Sequence, residues 1–61
     1  MKFLELKRFA EDYPIFFNIQ NISYVECYKG QATIRTSDGI RITVKEPYDE
    51  VKFLIENIIK N

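Results

Sequence analysis

Between Ile22 and Val44 the chain alternates apolar and polar residues with a period of two, which is the mark of half-buried strands. Two glycine-bearing breaks interrupt the alternation, at Lys29-Gly30 and at Ser37-Asp38-Gly39. If Lys29-Gly30 is a two-residue loop, Cys27 faces Ala32, Val25 faces Ile34 and Ser23 faces Thr36. If Ser37-Asp38-Gly39 is a three-residue loop with Gly39 left-handed, Thr36 faces Ile40, Ile34 faces Ile42 and Ala32 faces Val44. Both choices put Val25, Cys27, Ala32, Ile34, Ile40, Ile42 and Val44 on one side of one sheet. A one-residue slip would invert every side chain, so the agreement of the two loops fixes the register.

After Glu46 the period changes. Tyr48, Val51, Leu54, Ile55, Ile58 and Ile59 recur at helical spacing and form one apolar stripe. Pro47 suits a first helical position, where its missing N–H costs nothing. Glu46, Asp49 and Glu50 complement the positive end of the helix dipole and Lys60 the negative end. Two further strands precede this unit. Leu4 and Leu6 alternate with Glu5 and Lys7 over 2–9, and Ile15, Phe17 and Ile19 share one face over 15–19, with the turn Ala10–Pro14 between them. The expected fold is a single α+β domain over 1–61. It is a small antiparallel sheet of four to five strands in a meander (2–9, 15–19, 22–28, 32–36, 40–45), with one C-terminal amphipathic helix (47–60) packed on one face.

Sixty-one residues make a small core. A chain of this size buries only about 60% of its unfolded surface, and disulfides, metals or partner chains commonly supplement it. Cys27 is the sole cysteine and histidine is absent, so an intrachain disulfide and a structural zinc site are excluded. Self-association, with a dimer favoured, is the supplement that remains, and no cofactor is expected. A free cysteine accords with a reducing compartment. The start MKFLELKRF is charged at positions 2, 5, 7 and 8, unlike a secretory signal, and no apolar run reaches the roughly 18 residues of a membrane span. The reading is a cytoplasmic protein. Nine basic residues balance nine acidic ones, so nucleic acid is a disfavoured partner unless a local patch recruits it.

The register places Tyr24, Glu26, Tyr28, Thr33, Arg35, Arg41, Thr43 and Lys45 on the face away from the helix. Tyr24, Tyr28, Arg35 and Arg41 together make a candidate contact surface, since Arg and Tyr are enriched at binding hot spots. Aromatic and basic groups can also hold single-stranded nucleic acid. The plain alternative is a solvated sheet face on which Tyr and Thr serve strand propensity. Phe53 falls among Asp49, Glu56, Asn57 and Lys60 on the helical wheel, as surface or as a contact with a second chain. Phe16 points away from Ile15, Phe17 and Ile19, either covered by the N-terminal strand or open to a partner. Cys27 is expected to be an inert core thiol. Glu11-Asp12 reads as a turn and Asp49-Glu50 as helix-start charge. A two-carboxylate hydrolase needs a cleft between its acids, and a domain this small has little room for one. No enzyme activity and no small-molecule substrate are expected.

The segment from Ile19 to Ile58 resembles a family of very small bacterial proteins named after flagellar and swarming motility. The resemblance lies in Ile19, Asn21, Ile22, the Asp38-Gly39 turn, Val44-Lys45-Glu46 and Glu50-Val51. It implies a hairpin followed by a helix and little about mechanism. The stretches ISYVEC and IRTSDGIRITVKEPYDEV also resemble the first half of the LytTR DNA-binding domain. That family continues with a strand segment whose Arg and His residues contact DNA, and this chain has no counterpart to it. A nucleic-acid-binding regulatory module is therefore the alternative to a self-associating protein or small adaptor.

Overall fold

A computed structural model describes residues 2–60. Five strands, β1 (Phe3–Lys7), β2 (Pro14–Asn18), β3 (Ile22–Tyr28), β4 (Gln31–Thr36) and β5 (Arg41–Pro47), precede a C-terminal helix α1 (Tyr48–Lys60), and a short 3-10 turn (Ile19–Asn21) joins β2 to β3. The fold is α+β, with antiparallel strands throughout.

The expected loops form. Lys29 and Gly30 both take positive φ, 52° and 83°, as a two-residue hairpin of type I′ requires. The Gly39 N–H donates to the Thr36 carbonyl at 2.9 Å, and the Thr36 N–H donates to the Ile40 carbonyl at 2.9 Å. These bonds close a three-residue loop with Gly39 at φ 91°. The derived pairs Val25–Ile34, Cys27–Ala32, Ile34–Ile42 and Ala32–Val44 follow. A Cβ on Gly39 would meet only the Arg35 guanidinium, 4.0 Å away, so its constraint is backbone conformation and not space. Gly39→Val is therefore expected to cost about 1–3 kcal/mol through strain alone. A chemical denaturation midpoint equal to wild type would refute that conformation.

Among the described residues seven side chains are buried: Leu4 and Leu6 from β1, Phe17 from β2, Ala32 and Ile34 from β4, Val44 from β5 and Val51 from α1. Tyr48, Leu54, Ile55 and Ile58 pack against them from the helix. Asp49 and Glu50 occupy the first helical turn and Lys60 the last, and the Lys2 Nζ donates to the Ile58 carbonyl at 2.8 Å, satisfying one of the orphan acceptors at the helix end.

Several expectations are corrected. The strands divide into two sheets, β1–β2 and β3–β4–β5, in place of one meander. The sheets meet where the chain leaves β1. There Arg8 bridges Val44, the Phe9 N–H donates to the Thr43 carbonyl at 2.9 Å, and the Lys7 N–H donates to both Glu46 carboxylate oxygens at 3.1 and 3.2 Å. The long β1–β2 turn makes this possible, because Asp12 at φ 59° reverses the chain after Arg8 has already reached β5. Ser23 does not face Thr36; a bulge sets Ile22 there and leaves Ser23 as the extra residue. Pro47 ends β5 opposite Gln31, and the helix begins one residue later at Tyr48.

Cys27, Ile40 and Ile59 are exposed where a buried position was expected. Cys27 sits on an edge strand beside the turn, Ile40 belongs to the loop before β5, and Ile59 lies in the last turn of the helix. The 13-residue helix packs chiefly on β5 and β4.

Candidate interaction surface

The hairpin registers that build the core also align the opposite face. Tyr24, Arg35 and Arg41 stand side by side across β3, β4 and β5, and Glu26, Thr33 and Thr43 form the next row. Tyr28 lies beyond them, opposite Gln31 at the hairpin end. The Thr33 and Thr43 hydroxyls share a hydrogen bond at 3.0 Å, which ties the centre of the face together.

Tyr24, Arg35 and Arg41 converge. The Arg35 Nη1 donates to the Tyr24 Oη at 3.2 Å, and the guanidinium carbon stands 5.7 Å from the ring centroid. The hydrogen bond from Arg35, and after it the proximity of the Arg41 guanidinium, holds the Tyr24 phenol below its ordinary pKa of 10.0. Arg35 and Arg41 are directly opposite in register, an arrangement that is destabilising for like charges. Among the described residues the ion pairs are Arg8–Glu11 at 3.5 Å and Lys45–Asp12 at 3.3 Å. Neither involves Arg35 or Arg41, so the two opposed cations have no carboxylate within 4 Å. In a difference titration of the wild type against Tyr24→Phe, the Tyr24 phenol should ionise below its ordinary pKa of 10.0, and Arg35→Ala should raise it. A Tyr24 phenol that ionises at or above that value would contradict this contact.

The other candidates stand apart from this cluster. Tyr28 is 70% exposed, with the Lys29 ammonium 5.5 Å from its ring centroid. Phe53 is 61% exposed on the helix. Phe16 is 65% exposed, and the N-terminal strand covers it only in part. Phe3 of β1 stacks on it, with ring centroids 4.8 Å apart and planes 10° from parallel. This stack borders a groove of about 360 Å³ between the two sheets, whose walls include Ile15, Ile40 and Ile42.

Sequence reasoning missed Phe3, although its signal was present. Phe3 alternates with Leu4 and Leu6, so it must lie on the outward side of β1, where Phe16 lies on β2. It also missed Arg8 and Phe9, which line a second groove of about 390 Å³ with Gln31, Arg41 and Thr43. Their position depends on the contact of the β1 end with β5, which local periodicity does not encode.

No group of three or more Cys, Asp or Glu side chains among the described residues could hold a metal ion. Nor is any helix among them long and apolar enough to cross a membrane. Comparison with protein-family models, with curated proteins and with solved structures finds no match.

Proposed function

We propose that this chain is a non-enzymatic cytoplasmic protein that works by self-association or as a small protein-interaction adaptor, and that the Tyr24–Arg35–Arg41 face meets the partner. The observation that carries the reading is the opposed pair Arg35 and Arg41 with no carboxylate within salt-bridge distance among the described residues. A carboxylate supplied by another chain would relieve their repulsion and complete the hydrogen bonding of two guanidinium groups. Tyr24 is 41% exposed and offers rigid aromatic area beside them, the combination enriched at hot spots. Phe16 and Phe53 are secondary contacts of the same kind. The exposed thiol of Cys27 fits a reducing compartment.

Light scattering at micromolar concentration tests this directly. The wild type is expected at about twice the chain mass of 7.3 kDa. Arg35→Ala with Arg41→Ala should move it towards one chain mass while circular dichroism stays unchanged. A double variant that keeps the wild-type mass would refute the assignment of this face.

One observation favours a second reading. Arg8 and Phe9 extend the basic and aromatic character of the face along the groove beside Arg41. This is the combination that binds single strands by stacking and charge, as a regulatory module related to LytTR domains would. A fluorescence titration with single-stranded and double-stranded DNA at two salt concentrations separates the readings. Charge-driven binding must weaken steeply with salt, and absence of binding at low salt removes this alternative.

A further inference from the structure

The free edge of β3 carries more information than the face beside it. β4 is the only strand paired with β3 among the described residues, so one side of its seven-residue backbone has no sheet partner. The two-residue turn makes Tyr28–Gln31 a hydrogen-bonded pair. Alternation then makes Glu26–Thr33 and Tyr24–Arg35 hydrogen-bonded pairs as well. The N–H and C=O groups of Val25 and Cys27 therefore point away from β4, to the open edge.

Side-chain burial points to the same edge. Val25 and Cys27 lie on the core side of the sheet, opposite Ile34 and Ala32, which are both 0% exposed. Yet Val25 is only half-buried and Cys27 is exposed. The apolar side of the sheet continues past the reach of the helix and stops at an uncovered margin. Pro and Lys, the usual guards of an exposed edge, are absent from β3, and its one bulge lies at Ser23, near its start.

We infer that β3 pairs antiparallel with β3 of a second copy of this chain about a two-fold axis at Val25, joining the two three-stranded sheets into one. This deepens the self-association proposed above and rests on it. Val25 is the midpoint of Ile22–Tyr28, so an axis there overlaps the whole strand. Three features follow from that register. Val25 meets the partner's Val25 in a hydrogen-bonded pair on the core side. Cys27 meets the partner's Ser23, near the bulge that loosens the ends of the ladder. Tyr24 meets the partner's Glu26 on the outer face.

The last pair supplies charge complementarity. Glu26 has no cation within ion-pair distance among the described residues, and Arg35 already leans over Tyr24 towards the edge. The two-fold brings each unpaired carboxylate to the opposite chain's Tyr24–Arg35 contact, twice per dimer. An axis one residue further, at Glu26, would set the two Glu26 carboxylates against each other, which is destabilising. In the Val25 register the two Cys27 residues are offset by four positions, about 13 Å, too far for a disulfide.

Cross-linking and charge exchange test the inference together. In a Cys27→Ser background, Val25→Cys should form an interchain disulfide under mild oxidation, because directly opposed hydrogen-bonded residues have Cα atoms about 5.5 Å apart. Phe53→Cys in the same background should not. Independently, Glu26→Arg should raise the dimer dissociation constant at least about tenfold by setting like charges together, and Glu26→Arg with Arg35→Glu should restore it. Glu26 is exposed and Arg35 half-buried, so Glu26→Arg is expected to keep the fold, circular dichroism checks the double variant, and the charge exchange decides the matter even if the Val25 variant folds poorly. A wild-type dimer that neither cross-links through position 25 nor responds to Glu26→Arg would overturn edge pairing and leave self-association standing. A monomeric wild type would overturn both.

Discussion

Ile34→Ala is expected to remove a large share of the stability of the chain and to lower its urea denaturation midpoint sharply. Ile34 is 0% exposed on the central strand of the three-stranded sheet, between Val25 and Ile42, in the cluster that Leu54 and Ile58 cover from the helix. Truncating a fully buried Ile removes transfer energy and leaves a cavity, at about 2–5 kcal/mol. Stability of roughly 0.05–0.15 kcal/mol per residue gives a chain this short a total of about 3–9 kcal/mol. The substitution therefore removes a large share of the stability. Urea denaturation followed by circular dichroism measures it, and a midpoint equal to wild type would mean that Ile34 does not occupy the centre of the core.

Phe17→Ala should be as damaging, for a different reason. Phe17 is 4% exposed and sits on β2, in the sheet that does not contain Ile34. It pairs with Leu4, and both belong to the same buried cluster as Ile34, Val44 and Val51. A shared core makes the two sheets unfold as one unit. Loss of this ring should cost about 3–5 kcal/mol and lower the stability of β3–β5 as well as of β1–β2. Hydrogen exchange in the variant gives the readout. Destabilisation confined to β1 and β2, with β4 amides as protected as in wild type, would show that the two sheets are energetically separate.

The three-stranded sheet was legible because two glycines fixed two loop lengths. Gly30 and Gly39 both carry the positive φ that their turns need, and the alternation between them then determined four cross-strand pairs. The same register placed Tyr24, Arg35 and Arg41 in one row before any contact was known. The partition into two sheets was not legible. It depends on Arg8 and Phe9 reaching β5 and on Glu46 accepting the Lys7 N–H, both of which join residues more than thirty positions apart. Cys27, Ile40 and Ile59 were misplaced for a related reason. Periodicity tells which side of an element a residue occupies, but burial also depends on whether another element extends over it. The stack of Phe3 on Phe16 required the register of the first hairpin, whose turn lacks a glycine and takes its left-handed residue from Asp12.

If two copies assemble, folding and association are linked, and the melting temperature must depend on concentration. Thermal melts of the wild type at two concentrations about a hundredfold apart, both spanning the micromolar range, test this most directly. The expected result is a transition that moves to higher temperature in the concentrated sample. A cooperative melt at the same temperature in both samples, with a mass of one chain at the higher concentration, would contradict self-association.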